Sequence, residues 1–393
     1  MTLALANSKT GICDSHTTAA RLTIDVGAVA ENWRHLARLS HPARTAAVVK
    51  ANGYGLGIAH VVPVLNRAGC KDFFVATVAE GIAARTHAPA ARIFILNGLD
   101  PDAMPAFGRH ALIPVIASLP QASLWARHNS ENGRHPCAIQ IDTGMNRLGL
   151  TLSQARTLLG DMERAAQLNA VLVMSHLACA DDPDHPMNGQ QLQAFQAFTR
   201  TMPDHEASLS NSAGIHLGPQ FAFDLTRPGI ALYGGRSCLS GQNPMRPTVT
   251  AQAPILQIRQ ARPGETVSYG ASAVLNRDTR IAVVGVGYAD GYPRSLSGAG
   301  IPLRGPSHGF ADLPRPCVWI AGGLAPILGR VTMDLTMVDI TDLPAGAVRE
   351  GDFVELFGHN LALDDVAAAA GTIGYEILTA LGARYRRSIT GAG

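Results

Sequence analysis

Between residues 46 and 234 the chain repeats one pattern eight times: an unbroken apolar or β-branched run, a few small or polar residues, then a stretch of helical character. The runs cover residues 46–51, 72–77, 92–97, 112–118, 137–142, 170–177, 206–212 and 225–234. Alternation of apolar and polar residues would mark strands with one wet face. Continuity marks strands buried on both faces, the environment of a parallel sheet. Helical patterns such as 153–168 and 189–201 lie between the runs, as parallel strands require. Eight such units predict an α/β chain built on a (β/α)8 TIM barrel over roughly residues 30–246.

After about residue 247 the rhythm changes to short segments, 251–260, 280–286 and 353–357, separated by Gly and Pro turns. This predicts a C-terminal, mostly-β domain with a helix near 362–370. Residues 21–26 are strand-like and could join it, so the second domain is expected to comprise 21–29 plus 247–393. Residues 1–20 are polar and rich in small side chains, read as a flexible tail without the apolar core of a signal peptide. At 393 residues the chain exceeds the roughly 150 residues of an average domain.

Net charge is only +2 and no basic run appears, which gives no footprint for nucleic acid or an anionic membrane. No apolar stretch approaches the ~20 residues of a membrane span, so a cytoplasmic location is expected. The six cysteines are scattered, without the spacing of a disulfide framework or a zinc site. They read as reduced, mostly buried thiols, and no metal is expected.

Active sites of such barrels form at the C-terminal ends of the strands, so polar residues ending the apolar runs are the candidates. These are Lys50 after the first run, Asp142 and Arg147 after the fifth, His176 in the sixth, Asn211 and Ser212 after the seventh, and Arg227 with Gly229 in the eighth. Lys50 stands out. Only three of the 32 basic residues are lysines, and Lys50 alone ends a buried-type run. Burying its charge costs free energy unless the charge is paired or removed, and a Schiff base removes it. Taken singly, His176 also reads as a core histidine, and Arg147 or Arg227 as rim ion-pair partners. Residues 212–214 read as a helix start, whose hydroxyl and free N–H groups could equally hold a phosphate.

The stretch Ala47-Val-Val-Lys-Ala-Asn-Gly-Tyr-Gly-Leu-Gly57 resembles the cofactor-lysine motif of the alanine racemase family. In that family's order follow Ile141-Asp-Thr-Gly-Met-Asn-Arg-Leu-Gly149, Ser175-His-Leu-Ala178, Asn211-Ser-Ala-Gly214 and Arg227-Pro-Gly-Ile-Ala-Leu-Tyr-Gly234. The second half adds Val267-Ser-Tyr-Gly270, Gly287-Tyr-Ala-Asp-Gly-Tyr-Pro-Arg294, Gly329-Arg-Val-Thr-Met-Asp334 and Gly374-Tyr-Glu376. The resemblance extends from about residue 21 to the C-terminus. It implies pyridoxal 5'-phosphate as cofactor, an amino acid as substrate, and a homodimer whose sites each borrow residues from the other copy's second domain. The implied reaction interconverts L- and D-alanine through a Schiff base, for peptidoglycan synthesis or alanine catabolism.

By the same resemblance Lys50 carries the cofactor, and Lys50 and Tyr269 are bases on opposite faces of the substrate. A free tyrosine has a pKa near ~10, so Tyr269 needs help to act at neutral pH, and His176 is implied as a link between it and Arg227. Arg227 is implied against the pyridine nitrogen, which its permanent charge keeps unprotonated. Tyr54, Ser212, Tyr375 and the backbone at Gly229 and Ile230 are implied as phosphate ligands, with Asn211 beside them. Arg147 would reach the cofactor oxygen and the substrate carboxylate, and Met333 the carboxylate. Tyr288, Asp334 and Arg294 match the substrate entrance, implying alanine with serine weaker. Gln140 departs from the pattern, since many members carry there a lysine, often carbamylated, supporting the arginine matched by Arg147. Gly53, Leu56 and Asn146 also depart without removing a catalytic group. A racemase for serine or another small amino acid, a decarboxylase of this architecture and a non-enzymatic cofactor carrier are the alternatives. Arg227 and Tyr269 speak against the decarboxylase, and the second domain against the carrier.

Overall fold

The structure is a computed structural model describing residues 19–239, 241–297 and 315–392. The tail expected at 1–20 lies outside these residues up to 18. Ala20, counted in that tail, is buried, and its carbonyl accepts the Arg386 N–H at 2.8 Å.

Seven parallel strands, Ala47–Val48, Asp72–Val75, Arg92–Ile95, Leu112–Ile116, Cys137–Gln140, Ala170–Met174 and Glu206–Ser208, neighbour one another in chain order. The eighth, Leu225–Thr226, pairs in parallel with Arg44–Thr45. Val48 then donates to Pro228 O (3.0 Å) and Arg227 to Ser210 O (2.9 Å), which closes the sheet into a barrel. Closure leaves no sheet edge, and the strand faces pack dry: Phe73, Phe74, Phe94 and Ile139 are fully buried, with the Phe74 and Phe94 rings stacked at 4.5 Å. From Asp72 onward every strand starts where its apolar run starts. The eighth run is strand for two residues only, because Pro228 offers no N–H to a ladder, and it continues as the helical turn Ile230–Tyr233. The helix expected at 153–168 is two, Leu152–Gly160 and Met162–Leu168.

At the opposite end of the barrel, Asp72 accepts from Arg92 (2.5 Å) and Arg44 (3.3 Å), and Glu206 accepts from the same two arginines. This four-charge ring ties strand beginnings that are far apart in sequence.

In the second domain Thr279–Val284, Thr336–Asp339, Gly323–Leu328, Cys317–Ile320, Phe353–Phe357 and Val249–Ala261 form an antiparallel sheet, and the last strand pairs back to the first. Arg21–Asp25 adds to Val249–Ala261, and Arg386–Thr390 adds in parallel to Arg21–Asp25. The chain leaves this domain at Asp25, whose carboxylate caps the helix Val26–Ser40 by accepting the Ala28 N–H. That helix packs on the barrel, so the change of domain falls between Asp25 and Val26. One hydrophobic core runs through both domains.

The helix Gly374–Thr379 of the second domain docks beside the first barrel strand. A Cβ at Gly55 (φ +81°) would collide with the Leu378 carbonyl oxygen, so only glycine permits that approach. Arg387 donates to Gly55 O at 2.7 Å across the same seam. Cys70 and Cys137 are buried; Cys179, Cys238 and Cys317 are half-buried, more open than the sequence suggests, and these five are free, while Cys13 lies outside the described residues. Among the described residues no helix is long and apolar enough to cross a membrane.

Candidate active site

A cavity of about 490 Å³ opens at the C-terminal ends of the barrel strands, within the range of small-molecule sites. The first strand delivers Lys50 to it. Directly after Lys50 the chain turns left-handed: Ala51, Asn52, Gly53 and Tyr54 have φ of 53°, 52°, 65° and 51°. Left-handed geometry costs about 1–2 kcal/mol per non-glycine residue, so the surroundings must hold this turn. Gly53 donates to Val49 O, Gly55 to Ala51 O and Gly57 to Asn52 O, each at 2.8 Å, and Asn52 Oδ1 accepts the Ile58 N–H at 2.9 Å. The result turns Tyr54 inward, its ring stacked on Tyr233 at 4.5 Å and 6.0 Å from that of Tyr375.

Lys50 is half-buried and has its proton affinity lowered by burial and then by the Arg147 charge, with Glu80 opposing. A larger fraction of free amine at neutral pH follows, which favours condensation with a carbonyl. Burial, with Tyr375 adding to it, pushes the Tyr54 hydroxyl well up, and burial with Asp181 and Asp364 pushes Tyr375 up to about 12. Both hydroxyls therefore stay neutral donors.

Ser212, Gly229 and Ile230 form one wall. The Ser212 hydroxyl accepts the Gly229 N–H at 2.8 Å and the Ala231 N–H at 3.4 Å, so the Gly229 N–H offered to a phosphate by the sequence resemblance is engaged here, and the Ser212 hydroxyl keeps its own proton to give. A Cβ at Gly229 would collide with the Tyr54 hydroxyl, which keeps this wall free of side chain. Asn211 uses its carbonyl oxygen on the Gly214 N–H at 2.9 Å and shapes the turn.

Arg227 is 3% exposed. It donates to the Ser208 hydroxyl, to Ser175 O (2.5 Å) and to Leu209 O (3.4 Å), neutral acceptors without a carboxylate among them. Burial draws its guanidinium down to about 9, so it stays charged at neutral pH. His176 is half-buried with its open side on the cavity. Burial, then Arg227, Arg147 and Lys50, drive its imidazole down to about 3, so it is neutral at physiological pH. Asp142 Oδ1 accepts from Gly144 (2.7 Å) and Met145 (2.9 Å), building the turn that carries Arg147 to the rim. Gln140 is buried and donates to Ile141 O at 3.3 Å.

Lys50, Tyr54, Arg147, His176, Asn211, Ser212, Arg227, Gly229, Ile230 and Tyr375, all ten residues expected around the cofactor, line this one cavity. Tyr269, Tyr288, Met333 and Asp334 do not. They gather instead on loops of the second domain: Ser268 Oγ donates to Arg330 O (2.8 Å), Tyr288 N to Thr332 O and Ala289 N to Met333 O (both 3.0 Å). Asp334 takes Arg384 at 2.8 Å. Tyr269 is 73% exposed, on a strained segment whose neighbours Ser268, Gly270 and Ala271 have φ of 70°, 71° and 47°. The implied link from Tyr269 through His176 to Arg227 is thus not formed within one chain, and Arg294 is exposed.

Sequence reasoning missed Ser208, which anchors Arg227, and Asn97, which lines the cavity from the third strand. Asn97 ends the third apolar run and so carried the strand-end signal, whereas Ser208 lies inside its run and carries none. The same reasoning also missed Glu80, although Thr77-Val-Ala-Glu80 is a legible capping box. Among the described residues no group of three or more His, Cys, Asp or Glu side chains could hold a metal ion.

Two family models match the chain, "Alanine racemase, N-terminal domain" over residues 24–237 and "Alanine racemase, C-terminal domain" over 248–389. The biosynthetic alanine racemase of Agrobacterium fabrum is 54% identical over 367 residues, 93% of each chain. The catabolic alanine racemase of the same organism is 43% identical over 94% of this chain and 92% of its own. The crystal structure of alanine racemase from Bartonella henselae with covalently bound pyridoxal phosphate superposes with a TM-score of 0.86 at 37% identity, covering 94% of this chain and 99% of that one.

Proposed function

The chain belongs to the alanine racemase family, and we propose on that footing how its own residues divide the work. It interconverts L- and D-alanine and uses pyridoxal 5'-phosphate. The residues present fit that group. Three neutral hydroxyls and the side-chain-free wall at Gly229 suit a phosphate, a buried guanidinium with only neutral partners suits a ring nitrogen, and Lys50 supplies an amine of lowered proton affinity. When bound, the cofactor supplies an electron sink that acidifies the α-hydrogen of the amino acid joined to it.

Tyr54, Ser212, Tyr375 and the start of the turn Ile230–Tyr233 hold the phosphate end, with Asn211 shaping that turn. Arg227 would meet the ring nitrogen and, keeping its own proton, would leave that nitrogen unprotonated, which would favour return of a proton to the α-carbon over other outcomes. Lys50 anchors the cofactor and then moves the α-proton on one face. Tyr269 from a second copy moves it on the other, with neutral His176 linking its phenol to Arg227. Arg147 orients the carboxylate, with Met333, Asp334 and Tyr288 of the second copy closing the site against water and large side chains. The active species is then a cytoplasmic homodimer. The higher identity to the biosynthetic relative than to the catabolic one, 54% against 43%, supports a role in supplying D-alanine for peptidoglycan.

The observation that carries this reading is the convergence of Lys50, Arg227 and the Ser212–Gly229 wall on one cavity that Tyr269 of the same chain does not line. Purified protein incubated with pyridoxal phosphate and L-alanine in deuterated water is expected to yield D-alanine deuterated at the α-carbon, read by chiral chromatography with mass detection. Bound cofactor with neither D-alanine nor exchange would overturn the assignment.

A further inference from the structure

The turn that presents Lys50 and Tyr54 is held from outside its own strand by one carboxylate. Glu80 Oε2 accepts the Ala76 N–H at 2.8 Å and the Thr77 N–H at 3.3 Å, at the end of the second barrel strand. Its other oxygen accepts the Asn52 N–H at 3.1 Å, in the middle of the left-handed turn. A capping box for the helix Val78–His87 uses only the contact to Thr77. The bond to Asn52 therefore lies outside what helix capping needs, and it joins neighbouring strand ends where the reacting amine is mounted.

We propose that Glu80 is a positioning residue for Lys50: its carboxylate bridges the ends of the first two barrel strands and fixes the left-handed turn, and thereby the aim of the lysine and of Tyr54. Asn52 completes the clamp, its N–H held by Glu80 and its side chain accepting from Ile58. The carboxylate also favours the protonated form of Lys50, against burial and Arg147. Glu80 reaches the reaction only through the groups this turn carries, Lys50 and Tyr54. Removing it should loosen the turn and slow proton transfer while leaving the ligands of the substrate carboxylate untouched.

The inference rests on Lys50 as the cofactor lysine. Borohydride reduction of the holoenzyme followed by peptide mass analysis tests that separately, and modification of another residue would end both readings. With Lys50 confirmed, Glu80→Ala, Glu80→Gln and Thr77→Ala are compared as holoenzymes, reading hydrogen–deuterium exchange of the 50–58 peptide and both kinetic constants for alanine. Glu80→Ala is expected to speed exchange in that peptide about tenfold and lower kcat about tenfold with KM changed less than about twofold, as misaligned reacting groups do. Glu80→Gln, which retains one acceptor oxygen, should fall between; Thr77→Ala weakens the same cap and should leave both readouts at parental values. Parental exchange and kcat in Glu80→Ala, or equal losses in Thr77→Ala, would overturn the proposal. Should Glu80→Ala fail to fold, Glu80→Gln decides, parental values again counting against it.

Discussion

Arg227, His176 and Lys50 are positive or potentially positive groups crowded at one cavity, and burial above all shifts their proton affinities, with neighbouring charges adding to it at His176 and Lys50. Arg227 keeps its charge because a guanidinium starts so high that burial leaves it at about 9. His176, starting near ~6.5, cannot compete and is held at about 3. Between those two values the unfolded chain binds a proton that the folded chain refuses, so His176 makes stability fall as pH drops through that window and has no such effect above it. In apoprotein, the urea midpoint should decline from pH 6.5 to pH 4 with a His176 share below about 1.4 kcal/mol per pH unit, reduced by solvent in the cavity. His176→Gln should flatten the decline, leaving the parts due to His128, His205 and His216, whose imidazoles burial also depresses, and toward pH 4 to Glu206, which despite burial Arg44 and Arg92 hold low. An unchanged slope would mean that His176 is protonated in the fold. At this scale Lys50 was legible in the sequence because a rare lysine sits where an apolar run ends, and Arg227 because the family resemblance singled it out within the eighth run. Ser208 was not, because a serine gains its role only when another strand brings Arg227 to it.

At the scale of elements, the barrel strands were legible because burial on both faces leaves an unbroken apolar run, and a run can be read without knowing its neighbours. The left-handed turn at Ala51–Tyr54 was not. Propensity argues against it at Ala51 and Tyr54, and it persists because Glu80, Asn52 and the docked helix Gly374–Thr379 over-determine it. A consequence can be measured. Ala51 is exposed and has φ 53°, so Ala51→Gly removes about 1–2 kcal/mol of conformational cost and adds less than about 1 kcal/mol of unfolded-chain entropy. Net stabilisation of about 0.5–1 kcal/mol is expected in denaturant unfolding. Destabilisation would show that the turn is not strained at this position.

For the whole molecule, the barrel supplies the cavity and the second domain supplies Tyr269, Tyr288, Met333 and Asp334 on an exposed face that its own cavity does not meet. If, as proposed, each site is completed by a second copy, mixing two variants makes a definite arithmetic prediction. Lys50→Ala and Tyr269→Phe should each be inactive, Tyr269→Phe with cofactor binding intact. Unfolding and refolding the two together should restore about a quarter of parental activity, since half of randomly assorted dimers are mixed and each mixed dimer has one unmutated site. No recovery in a mixture shown by mass to contain mixed dimers would place both bases in one chain.

The sequence by itself determined the parallel barrel, the change to β structure near residue 247 and the cavity residues at strand ends, from Lys50 to Gly229. Those follow from local properties: the period of burial along a strand, and the rule that strand ends carry the polar groups. Tyr54, Ile230 and Tyr375, by contrast, were implied only by the family resemblance. Residues 21–26 were expected as a strand of the second domain, but only the tertiary structure decided that residues 21–25 lie between the strands Val249–Ala261 and Arg386–Thr390, that Ser208 serves Arg227, and that Glu80 holds the turn after Lys50. These are pairings between segments far apart in sequence or on separate strands. Each partner is chemically ordinary alone, and its role exists only once packing has brought the other within hydrogen-bond reach.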